Sequence, residues 1–112
     1  MLLTGFQSYG GRSINPAEEI VKALDGEVIE GELVIGRTLP VNYDELRPRI
    51  EQLIKETEPS AVICLGLWPG EPMIRLERIA ANIADFEIAD NSGTIINELI
   101  IPDGPTGLAS TL

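Results

Sequence analysis

Two stretches of this chain carry residue types and spacings that can do chemistry. The first is Thr4-Gly5-Phe6-Gln7-Ser8-Tyr9-Gly10-Gly11, with Asn15-Pro16 just beyond it. An apolar run that ends in glycines and then meets a helix start is where α/β sheets place ligands, at the carboxyl end of a strand. The chain has two Phe and two Tyr, and half of them, Phe6 and Tyr9, sit in this loop. Aromatic walls can flank a flat ring with little loss of side-chain entropy. Packing in a core or a turn is the plainer reading, because apolar residues beside glycines commonly do only that. The same glycines would cradle a phosphate on backbone N–H groups at a helix start. Against that, the G-x-G-x-x-G and G-K-[ST] spacings are absent and no lysine lies near the loop.

The second stretch is Leu76-Glu77-Arg78-Ile79-Ala80. An acid in a mostly apolar stretch needs a partner or a function to offset its desolvation. Arg75 and Arg78 are close in sequence, so a structural ion pair is the plainer reading of Glu77 and catalysis the sharper one. Cys64 falls inside the apolar run Ala61 to Leu67, where a thiol is expected to be a buried, inert, small hydrophobe. With one cysteine and no histidine, a disulfide framework is excluded and a zinc cluster nearly so. No metal or other cofactor is implied.

These residues need elements to hold them. Met1 to Phe6 reads as a buried strand ending in the glycine loop. A helix follows, capped by Asn15, with Pro16 at its first position and Glu18 placed for a capping box. Ile20, Val21 and Leu24 form its apolar stripe, and Asp25-Gly26 ends it. Glu27 to Val41 reads as two strands in a hairpin around Glu30-Gly31-Glu32. A second helix is predicted over about Tyr43 to Glu56, with Leu46, Ile50, Leu53 and Ile54 on one face and Pro59 closing it. Pro48 fits only near its start.

Ala61 to Leu67 is unbroken in its apolarity, as expected for a strand in mid-sheet covered on both faces. Trp68-Pro69-Gly70 is a turn. Beyond it, Met73 to Ala84 alternates weakly and Phe86 to Ile101 holds two strand-like stretches around Asn91-Ser92-Gly93. Pro105 to Leu112 reads as the approach to another helix.

The bulk properties narrow the partners. The chain has 112 residues, 44% hydrophobic and 23% charged, which suits a single globular domain with a modest core. Its net charge of -10, from 18 acids against 8 bases, repels nucleic acid and anionic membrane surfaces. The N-terminus enters a strand with no basic region, long apolar span or cleavage site, so neither export nor membrane insertion is indicated and a cytoplasmic setting is the default. Oligomeric state is left open, a homo-oligomer included.

The segments LLTGFQSYGG with INP beyond, AVICLGLWPG, ERIAANIAD, DNSG and PDGPTGLASTL follow one another in a characteristic order. In that order and spacing the chain resembles pyroglutamyl peptidase I, the pyrrolidone-carboxylate peptidase family, over essentially its whole length. The resemblance implies a three-layer α/β/α sandwich of the phosphorylase/hydrolase-like type. It implies a cysteine-type omega peptidase that removes N-terminal pyroglutamate from peptides. The family's catalytic set is Glu, Cys and His, and Glu77 stands at the Glu. The nucleophilic Cys belongs to an S-A-G-x-x-x-C-N-like segment and the His to a G-F-I-H-[IV]-P-like segment, and neither segment occurs here. Cys64 is not the counterpart of that Cys.

On this resemblance, residues 1–112 are the N-terminal part of a single domain that breaks off before its C-terminal half, and the chain alone is expected to be inactive. Phe6 and Tyr9 match aromatics that hold the pyrrolidone ring, and Leu67 and Ile88 match further lining positions. Tyr9 stands where Phe is usual, so its hydroxyl is expected to be dispensable. Glu71 and Glu87 stand where the family usually has Arg. The rival readings are an inactive or ligand-binding paralogue, and an anion-binding phosphorylase-like domain using Gly10-Gly11.

Overall fold

The structure, a computed structural model, describes residues 1–111. The chain divides into two compact units, Met1–Leu67 with Asp90–Thr94, and Trp68–Ala89 with Ile95–Leu112.

The first unit is built on a parallel sheet. Its elements are β1 (Leu2–Phe6), α1 (Pro16–Leu24), β2 (Val28–Ile29), β3 (Glu32–Leu33), β4 (Ile35–Leu39), α2 (Tyr43–Thr57) and β5 (Val62–Leu65). The sheet order is β4-β1-β5, with Leu2 opposite both Ile35 and Val62. Successive strand residues point to opposite faces, and β1 uses both. Leu2 joins Leu39 and Leu53 of α2, with Phe6, Ile35, Leu46 and Ile50 packed against them. Leu3 joins Val21 of α1 and Val34, with Leu24, Ile63 and Leu65 alongside. One helix thus covers each face, and the three layers expected from the sequence are present.

Glycine sets how closely α1 lies on the sheet. A Cβ at Gly5 would come within 2.7 Å of the Ala17 carbonyl oxygen, and one at Gly36 within 2.6 Å of the Val21 carbonyl oxygen. The helix backbone therefore rests directly on β1 and β4. Gly5 belongs to the packing of the helix, whatever the loop after it does. The stripe that faces the sheet is Ala17, Val21 and Leu24, while Ile20 is exposed, a shift from the stripe expected.

Local signals are met with some changes. Asn15 caps α1, its Oδ1 accepting from the Ala17 N–H at 3.0 Å. Glu18, half-buried, pairs with the exposed Lys22 at 3.1 Å. The hairpin is β2 with β3, and its turn residues Glu30 and Gly31 take φ of 50° and 79°. The primed turn they form suits a two-residue loop. Its second arm does not run on to Val41 as one strand: Val34 is buried, and Ile35–Leu39 leaves the hairpin to pair with β1. Asn42 caps α2 through the Glu45 N–H, and Glu58 in the left-handed region ends it before Pro59.

The expectation of a mid-sheet β5 covered on both faces is overturned. β5 has β1 as its only sheet neighbour among the described residues, and α2 lies over the β4 side of the sheet. Ile63 and Leu65 find cover on the α1 face, while Val62 and Cys64 are exposed. Cys64 is therefore not the buried thiol the apolar run suggested.

The second unit is made of short antiparallel ladders. Its elements are β6 (Ile79–Ala81), β7 (Ala84–Asp85), β8 (Asn97–Glu98) and β9 (Gly107–Ala109). β6 pairs with β9, Ile79 opposite Ala109, and β7 pairs with β8, Ala84 opposite Glu98. Within the stretch read as the approach to another helix, Gly107–Ala109 is drawn into the ladder with β6. Asn82 fastens the unit: its side chain donates to the Ile101 carbonyl at 2.7 Å and accepts from the Ile101 N–H at 2.8 Å. Much apolar surface stays bare, including Trp68, Leu76 and Ile79, with Ile74 97% exposed.

Candidate functional site

In the first unit the loop after β1 is held residue by residue. The Gln7 N–H donates to the Leu39 carbonyl at 3.0 Å, and the Gln7 carbonyl accepts from Asn15 Nδ2 at 3.2 Å. The Ser8 carbonyl accepts from Asn91 Nδ2 at 3.0 Å. The Tyr9 hydroxyl donates to the Leu67 carbonyl at 2.7 Å, just past the end of β5. Gly10 and Gly11 then turn the chain with φ of 63° and 74°. Left-handed φ at both positions is a reason for glycine that needs no phosphate.

Asn91 is held from the other side by the Asp90–Thr94 turn. The Asn91 N–H donates to the Val41 carbonyl at 2.8 Å. Asp90 Oδ2 accepts from the Tyr43 N–H at 2.7 Å, at the first turn of α2. Asp90 Oδ1 accepts from the Ser92 N–H, the Ser92 hydroxyl and the Thr94 N–H. The Ser92 hydroxyl, then the Tyr43 N–H, pull the Asp90 carboxyl down to about 2 from an ordinary 3.8. Its folded value is the lower one, so the turn is fully supported above pH 3.8 and loses that support as pH falls through about 2. Carboxyl carbon shifts of Asp90 followed by NMR between pH 5 and 1.5 should therefore move only at the acid end. A midpoint near 3.8 would contradict this hydrogen-bond set.

The structure brings Tyr9 and Leu67 into direct contact through this hydrogen bond. Phe6 is half-buried and packs on the Leu2, Leu39 and Leu53 cluster, so part of its ring serves the core. Glu77 and Ile88 lie in the second unit. Glu77 is exposed just before β6, where water solvates it. The ion pair expected for it with Arg75 or Arg78 is not formed among the described residues, because Arg75 bonds Glu71 instead, with Nε at 2.9 Å. Ile88 is 77% exposed. Shallow grooves along α2 (Pro40, Asp44, Glu45, Pro48, Arg49, Gln52) and along β6 and β9 contain none of the five residues singled out.

Sequence reasoning missed Asn91 and the use of the Tyr9 hydroxyl. The Asp90-Asn91-Ser92-Gly93 string carries a turn signature, since Asp side chains bond their own backbone two residues on. Nothing in that string reveals the tie to Ser8, which is 83 residues away.

A helix on each face of a parallel sheet, with an aromatic loop at the carboxyl end of its central strand, defines an α/β protein. The model of the pyroglutamyl peptidase family matches residues 1–112, and the chain belongs to that family. It is 44% identical to a pyrrolidone-carboxylate peptidase of Pyrococcus furiosus over all of this chain and 54% of the relative. The corresponding peptidase of Vibrio campbellii is 42% identical, again over all of this chain and 53% of the relative. A crystal structure of the P. furiosus pyrrolidone carboxyl peptidase superposes with a TM-score of 0.96 at 45% identity, over 99% of this chain and 54% of that one. The chain spans about half the length of the curated relatives it matches.

Proposed function

We propose that this chain supplies the ring-binding residues and the triad acid of a pyroglutamyl peptidase acting on peptides with N-terminal pyroglutamate. The family match over residues 1–112 carries the reading. In the first unit Phe6, Tyr9 and Leu67 bind the lactam ring; in the second, Ile88 is a further ring-binding residue by the resemblance and Glu77 is the acid that orients and stabilises an imidazole the chain itself lacks, having no histidine. A pyrrolidone ring presents methylene groups and an amide edge, so apolar walls with a few backbone hydrogen bonds select it over charged glutamate. Solvent around Glu77 and the bare apolar surface of the second unit support placing both within a larger peptidase body. Among the described residues no helix is long and apolar enough to cross a membrane; a cytoplasmic setting is proposed as the one in which a lone thiol stays reduced.

By themselves, these residues favour ring binding without turnover. The test is titration of L-pyroglutamamide into the chain, read by backbone amide NMR. Saturable shifts are expected at Phe6, Tyr9 and Leu67. Phe6→Ala should weaken binding by about 1–3 kcal/mol through lost apolar contact. A circular-dichroism melt of the same variant separates this from damage to the core beneath Phe6. Unchanged affinity in a folded Phe6→Ala chain would rule out the aromatic clamp. A phosphate loop predicts the reverse, with side-chain truncation harmless and Gly10 or Gly11 substitution decisive.

A further inference from the structure

The Tyr9 hydroxyl is part-buried and donates at 2.7 Å to the carbonyl oxygen of Leu67, 58 residues away. Both residues are singled out for the same ring, and the bond fixes the distance between the loop carrying one and the strand end carrying the other. The preceding residue is pinned as well, through Asn91 Nδ2 on the Ser8 carbonyl. We propose that the Tyr9 hydroxyl is a specificity-determining positioning residue, setting the width of the lactam slot by tying the loop after β1 to the end of β5. This rests on the pocket reading above and replaces the expectation that the hydroxyl is dispensable.

The physical basis is preorganisation. A slot whose walls are fixed before binding loses less freedom when the ring enters, and it rejects a ring one methylene larger more strongly than a slot that can widen. Tyr9→Phe keeps the aromatic wall and removes only the tie. It also leaves the Leu67 carbonyl to water, so the fold should persist.

The experiment uses the chain as it stands, with two probes: L-pyroglutamamide and its six-membered homologue, 6-oxopiperidine-2-carboxamide. Tyr9→Phe should accelerate amide hydrogen exchange at Gln7 and Arg12, whose N–H groups donate to the Leu39 and Tyr9 carbonyls, by about 3- to 10-fold, the scale of one net hydrogen bond. It should lower the preference for the five-membered ring by a similar factor while the melting temperature stays put. Faster exchange with an unchanged ring preference would make the bond a purely structural tie and overturn the proposal. Unchanged exchange and preference would overturn it too. If neither the parent chain nor the variant binds either lactam, the pocket reading itself fails and the proposed role goes with it; the exchange data still show whether the tie exists.

Discussion

Glu77→Gln is expected to cut kcat by about 10³- to 10⁴-fold, with little change in KM, once the chain is joined after Leu112 to the C-terminal remainder of the P. furiosus relative. The amide fills the same space as the carboxylate, so ring binding in the aromatic slot should persist. It carries no charge, and it offers a donor where an imidazole N–H needs an acceptor. The imidazolium that forms when a thiol gives up its proton is then left without stabilisation. The surroundings of Glu77 permit this role, for it is exposed and neither Arg75 nor Arg78 holds its carboxylate among the described residues. Steady-state kinetics on a fluorogenic pyroglutamyl amide, for parent and variant chimeras of equal melting temperature, check it. A loss confined to KM would move Glu77 from catalysis to binding or structure.

The reach of sequence reasoning differed between the two units for a physical reason. In the first, local signals were strong and agreed: Asn15-Pro16 started α1, the apolar face Leu46, Ile50, Leu53 placed α2, and Glu30-Gly31 turned a hairpin. What local signals left out was pairing. Val34 reads as a hairpin residue, yet its burial beside Leu3 directs the chain into β4. Cys64 reads as buried because AVICLGL is apolar throughout, but burial depends on what covers a strand, and β5 has cover only on its Ile63 and Leu65 face.

In the second unit the strands are two or three residues long, too short for a period of two to show. Gly107-Leu108-Ala109 is short and apolar, and only the approach of β6 makes it a strand. The site follows the same division. Phe6, Tyr9 and Glu77 stood out by type, whereas the capture of the loop by Asn91 and Leu67 spans 83 and 58 residues and leaves no local trace. Glu71 bonds Arg75, which sits at the helical i,i+4 spacing in a segment that forms no helix. An exposed pair of this kind contributes about 0–1 kcal/mol, too little to organise a site.

We propose that these residues are the ring-binding and acid-bearing portion of a pyroglutamyl peptidase, with the thiol and imidazole supplied from outside the chain. Cys64 is exposed on β5, and a chain without histidine has no imidazole to take a proton from it. Removal of triad members leaves only binding and orientation. The direct measurement is release of a fluorogenic amine from a pyroglutamyl substrate, by the chain alone and by the chimera carrying the C-terminal remainder of the P. furiosus peptidase. The prediction is no turnover from the chain alone, and turnover from the chimera that thiol reagents abolish and Cys64→Ser leaves intact. Thiol-sensitive turnover by the chain alone, or a folded chimera that cleaves no pyroglutamyl bond, would contradict it.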